Sequence, residues 1–283
     1  MKKMMLVLAV LFLVGCDFIK NPEQVKDDEN KKEENVDPQT EEKEDDGVVV
    51  VLNEQNFPDQ KFRWAICRML PVADGDTIPN KFLRVVDEMD LHESGISSLR
   101  GIEFFGALRQ LDCSDNQLMS IDISLNKNLE VLCCKGNKLN SIDVTQNEKL
   151  WLFNCSGNQL KSLDVSKNTK LTVLLCYENP LEENGIDVSH NIELSALGVE
   201  GCGLKVLDVA SNSNLKELYC SDNDFKELNL VNNTKLVNLI CEQPIWPFPQ
   251  IKISLPSNNK NLGEGKGQTR KNFALTWSEK RYH

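Results

Sequence analysis

Histidine is scarce in this 283-residue chain: His92, His190 and His283 are the only three, and they lie in separate regions. No serine, cysteine or carboxylate forms a recognisable nucleophile and base arrangement with them, which argues against an enzyme. Positive charge is also short, with 32 Lys and Arg against 43 Asp and Glu and a net charge of −11. That balance disfavours nucleic acid as a partner. Long apolar runs are missing too. The one near the amino terminus, Met4 to Val14, is too short to span a bilayer as a permanent helix. No cofactor and no bound metal is expected.

What the chain has is repetition. Between Leu108 and Lys235 one phrase is written six times, Leu-x-x-Leu-x-Cys-x-x-Asn-x-Leu-x-x-Leu-Asp-Val-Ser-x-Asn-x-x, with copies starting at Leu108, Leu129, Leu150, Leu171, Leu194 and Leu215. The step is 21 residues except for the fourth copy, which has 23 because of an insertion around Glu183-Asn184. A repeat of this length predicts a solenoid. A truncated seventh copy runs to Cys241, after which Pro244, Pro247 and Pro249 remove backbone donors and end the array. In the first copy Leu108, Leu111, Cys113, Leu118, Ile121 and Ile123 fill the core slots, and the alternation across Leu111-Asp112-Cys113 is that of a half-buried strand. Stacking such strands at about 4.8 Å per coil gives a parallel sheet along the concave face. Coils of this kind are stabilised by their neighbours, so both ends need caps.

Two asparagine columns mark the corners. Asn116, Asn137, Asn158, Asn179 and Asn223 follow the strand, and Asn126, Asn147, Asn168, Asn191, Asn212 and Asn233 stand at the opposite turn. An amide side chain supplies two donors and an acceptor to backbone groups without a ladder partner, so both columns are read as structural. A third column, Asp122, Asp143, Asp164, Asp187 and Asp208, is read as exposed carboxylates capping local turns rather than as a cation site.

Ten cysteines in an exported chain would ordinarily suggest disulfides. Here Cys113, Cys134, Cys155, Cys176, Cys220 and Cys241 share one slot, so their side chains run parallel about 4.8 Å apart. A disulfide needs Cβ atoms about 3.8 Å apart and turned toward each other. A ladder of buried free thiols is the reading that follows. Cys133, next to Cys134, faces the other side of its strand, outward on the concave surface, and is either an incidental surface cysteine or a reactive thiol.

These motifs resemble the leucine-rich repeat superfamily, and in particular internalin-like bacterial surface proteins in which a cysteine replaces one strand leucine. The resemblance spans about Phe57 to Cys241, and Asn56 to Arg63 and Gly95 to Phe105 look like that family's amino-terminal cap. It implies surface display and binding of a host or neighbouring-cell ligand. Two departures, Val199 in the cysteine column and Cys202 in the asparagine column, suggest a distorted fifth coil. Lys2 and Lys3 before the apolar run are typical of a signal peptide, and Leu13-Val14-Gly15-Cys16 resembles a lipoprotein lipobox. That resemblance implies acyl chains on Cys16, which would give stable membrane anchoring.

The expected organisation is a lipoprotein signal peptide at 1–15, a lipidated Cys16 and acidic tether at 16–47, an amino-terminal cap at 48–107, repeats at 108–243 and a carboxy-terminal cap or tail at 244–283. Asp17 to Gly47 holds thirteen acidic residues and five lysines, too polar to fold and extended by its own repulsion. In the cap, Pro58 and Asp59 start a helix to about Leu70 with Phe62, Ile66 and Leu70 on one face. Asp74-Gly75-Asp76 lacks the spacing of a calcium loop and reads as a turn. The tail from Gln250 is net +5, with Ile251 to Leu255 and Asn272 to Trp277 as two strands of a cap hairpin. On the concave face Val131, Leu152, Val173 and Leu175, with Trp151 and Tyr177 beside them and Tyr219 further along, form the expected ligand-binding patch. The reading is a surface-exposed, lipid-anchored protein that binds a protein or glycoprotein ligand in adhesion or host and neighbour-cell interaction. The alternative is an envelope-associated periplasmic scaffold. Cover by the tail or another subunit is the competing explanation of the apolar patch.

Overall fold

The computed structural model describes residues 49–182, 185–241 and 251–256. The expected signal peptide, Cys16, the acidic tether, Glu183-Asn184, the three closing prolines, most of the basic tail and the expected Asn272 to Trp277 strand lie outside the described residues. Within them the chain is a parallel-sheet solenoid. Eight strands form one sheet in chain order: β3 (Glu88–Asp90), β4 (Gln110–Asp112), β5 (Val131–Cys133), β6 (Leu152–Asn154), β7 (Val173–Leu175), β8 (Ala196–Gly198), β9 (Glu217–Tyr219) and β11 (Asn238–Ile240). The register puts Leu111, Leu132, Phe153, Leu174, Leu197, Leu218 and Leu239 side by side, all pointing into the core. A one-residue slip would send every one of them to the other face, so the repeat itself fixes the pairing.

β3 belongs to this sheet although it falls within the segment expected to act as cap. Met89 sits opposite Leu111, and Leu91, Ile96, Leu99, Ile102 and Phe105 continue the core, so a degenerate coil precedes the first recognisable copy. Its sequence hides it because neither asparagine column nor the cysteine reaches it.

Before that coil, β1 (Val50–Val51) pairs antiparallel with β2 (Thr77–Ile78), and α1 (Gln60–Met69) and α2 (Asn80–Val85) complete a short helical cap. The α1 amino terminus is fastened twice by one carboxylate. Asp59 Oδ1 accepts from the Lys61 and Phe62 amides at 2.9 and 3.0 Å, and Oδ2 accepts from the Ser97 amide and hydroxyl at 2.7 Å. Burial acts to raise the Asp59 pKa, but the bonds from Ser97, Phe62 and Ser98 outweigh it and hold the carboxyl below its ordinary value. Phe57 then packs against Phe62, Phe104 and Phe105 at centroid distances of 5.8, 5.6 and 6.5 Å, joining cap to coil. Gly101, at φ 106°, is required there, since a Cβ would clash with the Phe57 ring. The Asp74-Gly75-Asp76 segment is a turn, with Asp74 paired to the buried Arg63 at 2.9 Å and Asp76 accepting from the Ala73 amide at 2.8 Å.

At the other end the first expected cap strand is present, and its expected hairpin partner lies outside the described residues. β12 (Lys252–Ser254) pairs in parallel with β10 (Glu227–Asn229), a strand at the far corner of the sixth coil. A chain that has completed a coil returns in the same direction, so a parallel partner is the one available.

The coils are held together by amides. Every second-column asparagine is fully buried, and each donates Nδ2 to two backbone carbonyls of the coil before it. Asn147 reaches Ile123 and Asn126 at 3.0 and 2.9 Å, and Asn168 reaches Val144 and Asn147, both at 2.9 Å. Asn126, Asn191, Asn212 and Asn233 repeat the pattern. The first column bonds one carbonyl of the coil before it and one of its own, and also accepts: Asn137 donates to Cys113 and Cys134, while its Oδ1 takes the Leu118 amide at 3.0 Å. Asn168→Ala would remove two buried hydrogen bonds worth about 0.5–1.5 kcal/mol each, while the Val144 and Asn147 carbonyls keep the bonds they accept from the Asn147 and Leu150 amides. Urea unfolding should show a loss of about 1–3 kcal/mol for Asn168→Ala and under about 0.5 kcal/mol for the exposed neighbour Lys167→Ala. Equal losses would rule out the amide clamp.

Candidate functional site

Each core strand has a second face, and the repeat decides what it carries. Because β-strand side chains alternate, the residues flanking each central core leucine point away from the core. Val131, Cys133, Leu152, Val173, Leu175 and Ala196 form one apolar cluster there, separate from the main core, with Trp151 and Tyr177 packed against it. It spans β5 to β8. Val131↔Leu152, Leu152↔Val173 and Val173↔Ala196 are register partners, so the cluster is continuous rather than scattered. Gly198 shapes it: a Cβ there would lie 3.1 Å from Leu175 Cδ2 and 3.5 Å from Tyr177 Cδ1, so its absence leaves room for both side chains.

Six of the seven residues expected at the site, Val131, Trp151, Leu152, Val173, Leu175 and Tyr177, are brought together. The burial differs from expectation. Val131 and Val173 are 5% exposed, Leu175 2% and Leu152 0%, while Trp151 and Tyr177 are half-buried. A ligand reaches the four aliphatic side chains only where that burial is relieved, whereas the two aromatic rings keep an open edge. Tyr219 is the exception. It is in register with Gly198, but its hydroxyl donates to Glu217 at 2.7 Å and accepts from Asn238 at 2.9 Å. Burial, followed by the bond to Glu217, raises its pKa well above the ordinary phenol value. It therefore belongs to a polar group at the end of the apolar strip. Glu217 lies two residues before Tyr219 on the same strand and Asn238 on the neighbouring one, so both reach its hydroxyl.

Cys133 does not stand exposed as a reactive thiol. It is completely buried within the apolar cluster and is already engaged.

The cysteine ladder is present on the core side. Cys113, Cys134, Cys155, Cys176, Cys220 and Cys241 are buried free thiols in every copy but the fifth. Burial pushes Cys113, Cys134 and Cys155 well above the ordinary thiol range. At Cys220 a hydrogen bond with Cys241 leads, and burial adds to it. Such sulfurs act as small hydrophobes. The fifth coil is not distorted in its strand, since Val199 is fully buried and β8 stays in register on both sides.

The remaining candidates are structural. Ser189 Oγ lies 3.3 Å from His190 Nδ1 on an exposed turn, and Asp187 accepts from the Ser189 backbone amide as the other column aspartates do from theirs. His92 sits 3.7 Å from Asp90 and 3.6 Å from Glu93 on the exposed edge of the degenerate coil. The aspartate column caps turns: Asp122, Asp143 and Asp164 accept from the backbone amides of Ser124, Thr145 and Ser166 at 3.0, 2.8 and 2.9 Å. Bonds from the side chain and amide two residues on hold Asp122, Asp143, Asp164 and Asp187 below the usual carboxylate range.

No family model matches the chain. Among curated proteins it is 37% identical over 70 residues to Internalin J of Listeria monocytogenes, covering 25% of this chain and 8% of that protein. Among solved structures it resembles the functional domain of InlJ from Listeria monocytogenes, which includes a cysteine ladder. The TM-score is 0.66 at 34% identity, over 74% of this chain and 49% of that one. Internalin C2 of the same organism gives a TM-score of 0.61 at 17% identity, over 75% of this chain and 99% of that one, a likeness of fold alone. The chain thus spans about half of the solved InlJ domain and under a tenth of the curated relative.

The depressed aspartates fix a pH dependence. Their stabilisation is present above the ordinary carboxylate pKa of about 4 and disappears as pH falls through the lower folded values. The stability difference between wild type and the combined Asp122→Asn, Asp143→Asn, Asp164→Asn variant should therefore shrink from pH 6 to pH 2.5 in urea titrations. A difference that held constant would contradict the assignment.

Proposed function

Because the chain is an internalin-like leucine-rich repeat protein with a cysteine ladder, we propose that it recognises a protein or glycoprotein ligand through the sheet face opposite its core. The observation that carries this reading is the second apolar cluster. A solenoid needs only one hydrophobic interior, yet β5 to β8 place six further apolar residues on the other side, with two aromatic rings half-open at the edge. Aromatic anchors within an apolar strip are the residues that dominate protein interfaces when buried. The polar Glu217, Tyr219 and Asn238 group closes the strip at one end and supplies directional contacts.

The same reading extends to location. Cys16, behind its lipobox-like sequence, anchors the chain to a membrane, and the acidic tether holds the repeats away from it. The cell envelope is the compartment and the cell surface the place of display. The scaffold acts by binding, not catalysis, in keeping with the internalins it resembles.

Two measurements test this. Digestion of intact cells with an external protease should remove the repeat domain while a periplasmic control survives; full protection would move the ligand search to an envelope-internal partner. Purified wild-type chain should retain a specific band from extracts of surface proteins. Trp151→Ala or Tyr177→Ala should weaken that binding about tenfold or more without lowering Tm, and Leu175→Asp should abolish it. Retention of the band by all three folded variants would exclude this face.

A further inference from the structure

The cysteine column breaks once. Val199 fills its slot in the fifth coil, and Cys202 stands three residues later, where other coils place the turn asparagine. Cys202 Sγ lies 3.2 Å from the Cys176 carbonyl oxygen. That contact is the counterpart of Asn179 Nδ2 on Cys155 O at 3.0 Å and Asn223 Nδ2 on Val199 O at 2.7 Å. The exchange thus keeps the donor and brings a second sulfur against the ladder, where the Cys176 and Cys202 side chains hydrogen-bond to each other. Ladder rungs lie parallel, one coil apart. Cys202 instead approaches Cys176 from the turn, with its sulfur against the Cys176 main chain.

The asparagine's acceptor is lost in the exchange. In its neighbours Oδ1 takes an amide of the preceding coil, Leu139 for Asn158, Leu160 for Asn179 and Leu204 for Asn223, at 3.0, 3.1 and 2.9 Å. The equivalent Leu181 amide turns back to Asn179 O at 2.8 Å within its own coil. Coils four and five therefore lack one of the clamps that the others have. The cover over Cys202 is thin: it is 1% exposed, but lies between two exposed glycines, Gly201 and Gly203, at φ 62° and 72°. Glycine at both positions leaves no side chain there to shield the sulfur.

We propose that Cys176 and Cys202 are a thiol–disulfide exchange site, which reacts with a small-molecule or protein disulfide and staples coils four and five where the asparagine clamp is missing. Cys202 is the attacking sulfur. Hydrogen bonds from the Cys176 thiol and from the Asn179 and Glu178 amides favour its thiolate over the opposing effect of burial. At Cys176 the same thiol contact, reinforced by burial, favours the protonated form. The Cys202 thiolate displaces one thiolate from the oxidant and forms a mixed disulfide. Cys176 then loses its proton and attacks Cys202 Sγ, releasing the second thiolate. Two protein thiols and one external disulfide become one protein disulfide and two external thiols, with two electrons passed to the oxidant.

The test uses the folded full-length chain treated with excess oxidised glutathione, then alkylated, unfolded and digested without reductant. The expected product is a peptide pair joining Cys176 to Cys202, lighter than the free pair by two hydrogens, with a Tm several degrees above that of the reduced protein. Cys202→Asn, which restores the residue the repeat uses, and Cys202→Ser should each fold, yield no linked pair and show no oxidant-dependent Tm shift. Full alkylation of both cysteines after oxidant treatment, or a pair joining Cys176 to a ladder neighbour, would overturn the proposal.

Discussion

Stacking in this protein depends on side-chain amides donating to main-chain carbonyls of the neighbouring coil. A solenoid coil with three-residue strands has few ladder bonds, and its corners leave carbonyls pointing along the axis with no strand to meet them. The second-column asparagines sit at those corners and bridge two carbonyls each, spanning 21 to 26 residues of sequence in a single side chain. Their Oδ1 atoms are buried without partners, so the column works by donation. The hydrophobic slots supply the driving force for stacking, but leucines alone would tolerate sliding. The amides fix the offset between coils, and with it the register of the sheet.

A fixed register is what gives the outward face a meaning. Once each strand is locked to the next, the residues beside each core leucine fall into columns, and a few substitutions within the repeat draw a surface. Val131, Leu152 and Val173 make one apolar column, Leu175 and Tyr177 lean over Gly198, and Glu217, Tyr219 and Asn238 change the character of the strip two coils later. The same lock explains why thiols suit the ladder slot. They are small and, when buried, inert, and their spacing forbids pairing along the column. Where one is moved out of the slot, at Cys202, it gains a partner and a different chemistry.

Much of this was legible because the signal is repeated. Six copies fixed the strands, the inward leucines, both asparagine columns and the thiol ladder, and outward positions followed from the period of two. The degenerate coil at β3 escaped notice because it keeps only the apolar spacing, with Gly95 near the place of the corner asparagine and Phe105 at the second corner. Tyr219 was grouped with the apolar strip because a ring in an outward column looks like an anchor, and its hydroxyl partners come from another strand and from two residues away. The parallel pairing of β10 with β12 was illegible since it joins the sixth coil to a segment beyond the array. Cys202 looked like a fault in the repeat, and only its distance to Cys176 shows that it conserves the donor while losing the acceptor.

The central claim is that a partner docks on the face carrying Trp151 and Tyr177. It is tested most directly by placing a photo-crosslinking amino acid at position 151 and, in a separate strain, at position 167 on an exposed turn, then irradiating intact cells and resolving the adducts. The account predicts a discrete crosslinked partner from position 151 that is lost when Tyr177→Ala is added, and none from position 167. A partner captured from position 167 and not from 151 would place recognition on the other side of the solenoid.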